Sequence, residues 1–537
     1  MDKPKWYLNA VFYEIFLRSF KDSNGDGIGD LGGLIEKLDY LKDLGVDCLW
    51  LCPIYPSPLK DNGYDISDFY AIDPVYGTLD DFKTLLQEVH KRGLRLIMDL
   101  VVNHTSDQHP WFQEARSNPL SPYRDYFVWS DSDRLYRDAR IIFLDSEESN
   151  WAWDEEAGQF YWHRFYSSQP DLNYANPAVR SEILNIMRFW LDLGIDGFRV
   201  DAVPYLFEKD GTNCENLPET HEFLRQMREF VDRNYNKDKV LICEANQMPE
   251  DVIAYLGNGD EFHIAFHFPV MPKIFMGLRM QNRLPIVETL KKTPAIPAET
   301  QWGTFLRNHD ELTLEMVTPE EREWMWKEYA PEARMRLNLG IRRRLAPLLD
   351  NHPQKIMLAH RLLFSLPGTP FLYYGDEIGM GDNIELPDRN GVRTPMQWDA
   401  SLNAGFSTSA EPWLPVIERE PYSAASVNVE RQMKQSGSLW QQLQQLNRLR
   451  KNERVFQSNE IQFLEHPDER VMIFTRRKDK DEMLFVHNLS GDEVLLTATL
   501  AALENRKLVD LISGNGFQVN GQSLDLRLSP YQSLYLK

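Results

Sequence analysis

Eight short, nearly uninterrupted apolar runs, several of them separated by amphipathic stretches, restrict this chain more than any other feature. They cover residues 11–16, 46–51, 95–102, 197–201, 240–244, 262–268, 303–308 and 370–375. Runs of this length without polar alternation suit parallel strands covered on both faces. Between them apolar residues recur at helical spacing, as at 31–44, 79–92 and 178–193, the last opening after Asn176-Pro177. Eight β units separated by helices predict an α/β fold, a (β/α)8 TIM barrel. Reacting groups in such a barrel lie at the C-terminal ends of the strands.

Two stretches break that rhythm. About 70 residues rich in aromatics and turn formers, 104–173, follow the third run. That is too long for a structureless loop and predicts an inserted subdomain B over the barrel mouth. After a polar stretch, 401–437, and one helix at 439–452, the pattern turns to short strands at 471–475, 483–487 and 494–497. Gly, Asn and Asp punctuate them, which predicts a C-terminal antiparallel β-sandwich. The expected division is therefore a catalytic barrel at 1–103 and 174–455, subdomain B at 104–173, and a β-sandwich at 456–537.

Composition narrows the partners. Lys+Arg 59 against Asp+Glu 81 gives a net charge of -22, which disfavours nucleic acid and anionic membrane surfaces. No segment approaches the ~20 apolar residues of a membrane helix, and residues 1–8 lack the apolar core of a signal peptide. Four cysteines (Cys48, Cys52, Cys214, Cys243) are too few for a disulfide framework. A reduced, cytoplasmic protein is expected. Aromatic faces also suit neutral ligands such as sugars, although core packing accounts for most of them.

Polar groups gather where the apolar runs end. The third closes as Asp99-Leu-Val-Val-Asn103-His104 and the fourth as Gly197-Phe-Arg199-Val-Asp201. The fifth closes as Leu241-Ile-Cys-Glu244 and the seventh as Phe305-Leu-Arg-Asn308-His309-Asp310. A carboxylate at the rim of an apolar strand is costly to desolvate unless it is paired or used. One such Asp is ordinarily a helix cap; four strand ends carrying carboxylates, an Arg and two His are not. In a barrel they converge. Carboxylates with an Arg, and no His/Cys metal cluster, fit glycoside chemistry, in which one carboxylate attacks and another carboxyl acts as acid and base.

Those four segments resemble the signature regions of the α-amylase superfamily of glycoside hydrolases. Further matches are Gly45-Val-Asp-Cys-Leu-Trp-Leu-Cys-Pro53, Gln169-Pro-Asp-Leu-Asn173 and Gly368-Thr-Pro-Phe-Leu-Tyr-Tyr-Gly-Asp-Glu377, so the likeness spans nearly the whole chain. The resemblance implies Asp201 as nucleophile, Glu244 as general acid/base and Asp310 as transition-state stabiliser. It implies that Arg199 orients Asp201, and that His104 and His309 bind hydroxyls of the transferred glucosyl unit. The Gln169 motif and Arg393-Thr-Pro-Met-Gln-Trp398 are similar to the branch holding oligo-1,6-glucosidases, α-glucosidases, sucrose isomerases and trehalose synthases. In that branch Asp61 and Arg393 close the glucose pocket, Gln169 joins the substrate-binding set, and Tyr64 supplies a stacking face. Ala202, after the nucleophile, resembles the α-1,4 choice at a linkage switch and points to maltose. The segments 201–206, 243–247, 305–315 and 319–350 look most like the maltose–trehalose isomerising members. An α-1,4-glucosidase is the nearest alternative, a sucrose isomerase a weaker one, and an inactive barrel scaffold the alternative from another class.

The loop Asp22-Ser-Asn24-Gly-Asp26-Gly-Ile28-Gly-Asp30 sets oxygens at alternate positions around a Gly turn, which suits calcium; a plain Asx-turn loop is the alternative. Gly33 stands where an EF-hand needs Glu. The resemblance supports calcium there, adding the carbonyl of Ile28. It also implies a second structural site from Asn103, Asp171 and Glu208 with the carbonyls of Tyr205 and Leu206. The expected partner is a disaccharide; a homo-oligomer and a separate maltokinase partner are left open.

Overall fold

The apolar runs close into a ring of parallel strands in the computed structural model, which describes residues 5–500 and 503–537. The strands are β1 (Phe12–Ile15), β2 (Cys48–Leu51), β3 (Arg95–Val101), β4 (Gly197–Asp201), β5 (Val240–Cys243), β6 (Ile264–Phe266), β7 (Gln301–Phe305) and β8 (Thr369–Tyr373). Each pairs with its sequence neighbours, and β8 closes on β1 through Phe371 opposite Phe12. Helices cover the outside and side chains fill the inside, which is why the strands do not alternate in polarity. β7 starts two residues before its apolar run because buried Gln301 pairs with Ile264 and turns its amide oxygen to the N–H of Trp302.

The helices between strands start and stop where local chemistry requires. Leu31–Leu44 opens with the Asp30 side chain accepting from Gly33 N–H and ends at Gly45 in the left-handed region. Leu79–Lys91 carries a Thr78/Asp81 capping box. Pro177–Leu193 has Asn176 as its cap and Pro at its first position. One glycine is indispensable to the site. Gly197 begins β4 at φ +152°, and a Cβ there would lie 1.9 Å from the Val240 carbonyl oxygen, so only Gly lets β4 approach β5.

Residues 104–173 stand over the C-terminal rim of the ring. Helix Pro110–Ser117 packs on an antiparallel sheet of Trp129–Ser130, Gln159–Trp162 and Trp151–Asp154. Phe112, Trp129 and Tyr161 form its aromatic centre. The segment after β7 makes a second excursion, a helix at Pro319–Tyr329 and a small sheet of Leu312–Thr313, Gly340–Ile341 and Arg336–Leu337.

Beyond helix Leu439–Asn452 lies an antiparallel β domain. Its four-stranded sheet runs Ile461–Phe463, Val471–Lys478, Asp481–Asn488, Ser533–Leu536, and Val494–Thr499 pairs with Ser523–Leu528. The strand Val471–Lys478 is buried on both faces. Met472 and Phe474 join the core shared with the barrel, whereas Val471 and Ile473 join a second core with Leu496 and Leu526. Among the described residues no helix is long and apolar enough to cross a membrane.

Candidate active site

Register places the first pair of groups. Asp99 on β3 sits opposite Arg199 on β4, and the Arg199 guanidinium is almost wholly buried. Its Nη1 donates to Asp99 Oδ1 at 2.7 Å and also to Asp201 Oδ1, while Nη2 meets Glu244 Oε1 at 2.7 Å. One cation therefore holds three carboxylates from three neighbouring strand ends. Trp50 Nε1 and the Tyr64 hydroxyl donate to the other Asp99 oxygen at 2.9 and 3.2 Å. After Asp201 the chain turns sharply: Ala202 has φ +51°, and its N–H donates to Glu244 Oε2 at 3.3 Å. A β-branched residue would be strained in that conformation, so Ala suits the turn.

The two central acids differ in proton affinity. Burial pushes Asp201 up to about 6, with Arg199 opposing the rise. Burial pushes Glu244 further, to about 8; Arg199 opposes, but Asp201 and Asp310 add repulsion. Asp310 goes the other way. Burial disfavours its charge, yet His309, Arg389 and Arg393 outweigh that and hold it well below the usual range. Near neutral pH the site presents a protonated Glu244 between ionised Asp201 and Asp310.

The outer wall requires one correction. Sequence reasoning pairs Asp61 with Arg393, but the partner is Arg389, whose Nη2 donates to Asp61 Oδ1 and whose Nη1 donates to Asp310 Oδ1 at 2.9 Å. Arg393 lies deeper, donating from Nε to the His309 carbonyl at 2.8 Å and from Nη2 to Asp310 Oδ1 at 3.0 Å. Arg389 lies within one short 3₁₀ turn, Asp388–Val392, and Arg393 caps its end, where it is drawn under the seventh strand end. Gln169 Nε2 donates to Asp61 Oδ2 at 3.0 Å and lies 3.1 Å from His104 Nε2. His104 also meets the Tyr64 carbonyl at 3.2 Å, and burial keeps it neutral. The Tyr64 ring stacks on His309 at 5.2 Å and 6°.

The cleft above these groups is lined by Asp61, Tyr64, His104, Phe143, Asp201, Tyr205, Glu244, Asn246, Phe268, Asp310, Glu315 and Arg389, among others. Sequence reasoning did not single out Phe143, Asn246, Glu315 or Arg389. Nor did it find Arg140, on subdomain B, which reaches across the mouth. Its Nη1 donates to Glu315 Oε2 and its Nε to Glu215 Oε1, both at 2.8 Å, and its Nη2 donates to the Tyr205 hydroxyl at 3.0 Å. Asn246 Nδ2 meets the same Glu315 oxygen at 2.9 Å.

The catalytic-domain model of the α-amylases matches residues 14–339 and 341–459, and the C-terminal-domain model of maltogenic amylases matches 461–534. The chain belongs to the α-amylase family. A trehalose synthase/amylase of Mycolicibacterium smegmatis is 57% identical over 500 residues, spanning 90% of this chain and 84% of that protein. A trehalose synthase of Pimelobacter sp. is 53% identical, spanning 97% of this chain and 93% of the relative. An oligo-1,6-glucosidase of Heyndrickxia coagulans is 33% identical over 91% of this chain and 93% of its own length. Among solved structures, the α-glucosyl transfer enzyme XgtA superposes with TM-score 0.83 at 28% identity over 99% of both chains. An inactive double mutant of the trehalulose synthase MutB, in complex with isomaltulose, superposes with TM-score 0.81 at 30% identity over 100% of both chains.

The metal residues inferred from this family fall into two different settings. In the 22–30 loop most of the acidic oxygens already accept protein donors, with Oδ2 of the exposed Asp26 the exception. Asp22 accepts from the N–H groups of Asn24, Gly25 and Gly27, Asn24 Oδ1 from Asp26 N–H, Asp26 Oδ1 from Ile28 N–H, and Asp30 from Ser23 and Gly33. Asp22, Asp26 and Asp30 do not bring three carboxylate oxygens within 4.8 Å of one another. Asn103, Asp171 and Glu208 are different. Asn103 Oδ1, Asp171 Oδ2 and Glu208 Oε1 are all buried and none has a hydrogen-bond partner. Burial pushes Asp171 up to about 8, and burial plus the charge of Asp171 raises Glu208. Three orphaned oxygens between β3, subdomain B and the 3₁₀ turn Val203–Tyr205 form a donor set fit for a hard cation.

Proposed function

We propose that this chain isomerises maltose (α-1,4) to trehalose (α,α-1,1) by intramolecular glucosyl transfer, a maltose α-D-glucosyltransferase with some hydrolysis to glucose. The reading rests on the Arg199 cluster: a nucleophile and an acid held by one guanidinium at the floor of a cleft roofed from two sides. Asp201, ionised and oriented by Arg199, attacks the anomeric carbon while Glu244 protonates the departing oxygen, leaving glucose covalently bound to Asp201. Asp310 stabilises positive charge on the sugar ring, and the Asp61–Arg389 pair with His104 and Gln169 satisfies the outer hydroxyls. The freed glucose turns within the closed cleft and offers its anomeric hydroxyl to Glu244, now a base. Two inversions give net retention.

Water and glucose compete for the same intermediate, so cleft closure decides between hydrolysis and isomerisation. The Arg140–Glu315 bridge supports closure, and so do relatives named trehalose synthases at 48–57% identity against oligo-1,6-glucosidases at 33–34%. Timed NMR of maltose turnover tests the reading. A trehalose signal that outruns free glucose is expected; glucose alone overturns it. Added labelled glucose should stay out of the trehalose, and heavy labelling would overturn the intramolecular route.

A structural calcium belongs to this proposal. Asn103, Asp171 and Glu208, with the carbonyls of Tyr205 and Leu206, would hold it, tying subdomain B to the turn that follows the nucleophile. Its chemistry there is charge neutralisation, not activation of water. The loop of Asp22, Asn24, Asp26, Ile28 and Asp30 is the second candidate, its turn shaped by main-chain N–H groups donating to Asp22, Asn24 and Asp26. Calcium at 100 times its Kd should stabilise the fold by about 2.7 kcal/mol, read as a rise in melting temperature that Asp171→Asn abolishes. A chelator that inactivates without lowering that temperature would contradict a structural role. The free, buried cysteines support a reduced cytoplasmic setting.

A further inference from the structure

Glu14 lies midway along β1, inside the ring, among Phe12, Tyr13 and Ile15, and is 1% exposed. A carboxyl group so placed is costly unless every oxygen has work. Its Oε1 accepts the main-chain N–H of His309 at 3.2 Å and lies 2.5 Å from His309 Nδ1. The Cys52 thiol is 3.7 Å from the same oxygen. A divalent ion bridging carboxylate and imidazole needs ~2.0–2.2 Å to each, too far apart for the Glu14–His309 contact, so the contact is a hydrogen bond. At 2.5 Å the Glu14 oxygen and Nδ1 have one proton between them, and a neutral pair keeps the other ring proton on Nε2. Other groups fix the remaining sides of His309. Arg393 holds its carbonyl, Tyr64 stacks on its face, and Nε2 points to Asp310 Oδ2 at 3.2 Å.

We propose that Glu14 is a positioning residue for the glucosyl-binding histidine: by sharing the Nδ1 proton it fixes the tautomer and tilt of His309, so that Nε2 faces the sugar and Asp310. This deepens the glucosyl-transfer reading and rests on it for the role of His309. With the Nδ1 proton shared with Glu14, the second ring proton stays on Nε2 and is donated outward, toward the sugar and Asp310. The charges acting on Glu14 are those of Asp310, Arg199 and Asp99; burial raises the Glu14 carboxyl well above its usual range and lowers the His309 ring well below its own. One proton shared between Glu14 and His309 leaves the buried pair neutral in either arrangement. Loss of the pair's carboxyl therefore changes the chemistry of the ring without changing the volume of the core.

The test is Glu14→Gln, which keeps the shape and removes the carboxylate. In ring-¹⁵N-labelled protein, His309 is expected to show a protonated Nδ1 with a strongly downfield proton, and Glu14→Gln is expected to abolish that resonance. This arm needs no turnover and stands whichever product maltose gives. In the second arm, glucosylation by an aryl α-glucoside is followed, a step common to transferase and hydrolase. A fall in kcat/KM of about 10- to 100-fold is expected at unchanged melting temperature. Conversely, wild-type kcat/KM with the His309 signature retained overturns the proposal. So does a loss of activity that tracks a loss of stability while Nδ1 stays protonated. Failure of the isomerase reading alone would show as glucose-only products from the wild type, with both arms still behaving as stated.

Discussion

At the residue scale the decisive arrangement is one buried guanidinium with a carboxylate on each side. Because Asp201 must be ionised and Glu244 protonated, activity should rise as pH passes about 6 and fall as it passes about 8. A bell-shaped kcat/KM profile with those limbs is expected. Glu244→Gln should lose the alkaline limb, keep the acid one and slow the reaction by about 10²–10⁴-fold. Arg389 makes a second prediction. It spans Asp61 and Asp310 with separate nitrogens, a fork that a lysine ammonium cannot reproduce. Arg389→Lys is therefore expected to raise KM for maltose about tenfold, measured by initial rates. This residue also marks a limit of sequence reading. Arg389 and Arg393 are four apart in one short turn, and which of them faces Asp61 is settled by how the turn docks under β7, not by local pattern. Glu14 was legible in principle, since an acid amid Val-Phe-Tyr-Glu-Ile-Phe breaks an otherwise apolar run.

At the scale of elements, the ring and the insertion over its mouth were readable, whereas the bridge that ties that roof together was not. Eight apolar runs announce parallel strands because both faces of each are covered, and the polar residues at their ends announce the site. The Arg140–Glu315 bridge joins residues 175 apart in sequence, from two excursions with no shared motif. It depends on how subdomain B and the 312–341 sheet lean over the mouth, a tertiary property. Arg140→Ala removes the bridge and uncovers Glu315 and Glu215 to water. The glucose-to-trehalose product ratio from maltose should increase about tenfold, the effect of ~1.4 kcal/mol on partitioning of the glucosyl intermediate. An unchanged ratio would mean that closure is set elsewhere.

Over the whole molecule, the C-terminal domain is fastened to the barrel by buried cations that meet carbonyls, not acids. Arg476 donates to the carbonyls of Ser365 and Leu366 at 3.0 and 2.8 Å, at the end of helix Pro353–Ser365, and to that of Ser458. From the barrel side, Arg283 donates to the carbonyls of His466 and Asp468 at 2.7 and 2.6 Å. Substituting Arg476→Leu strands several buried carbonyls at once and should cost at least about 2 kcal/mol, read as a lower denaturation midpoint. The strand Val471–Lys478 adds a stricter condition, since its alternate side chains belong to different cores. The domain is thus no cassette: grafted onto another barrel it would carry Met472, Phe474 and Phe485 into a seam with no matching hollows. Whoever shortens or recombines enzymes of this architecture must move the outer helix and the sheet as one piece.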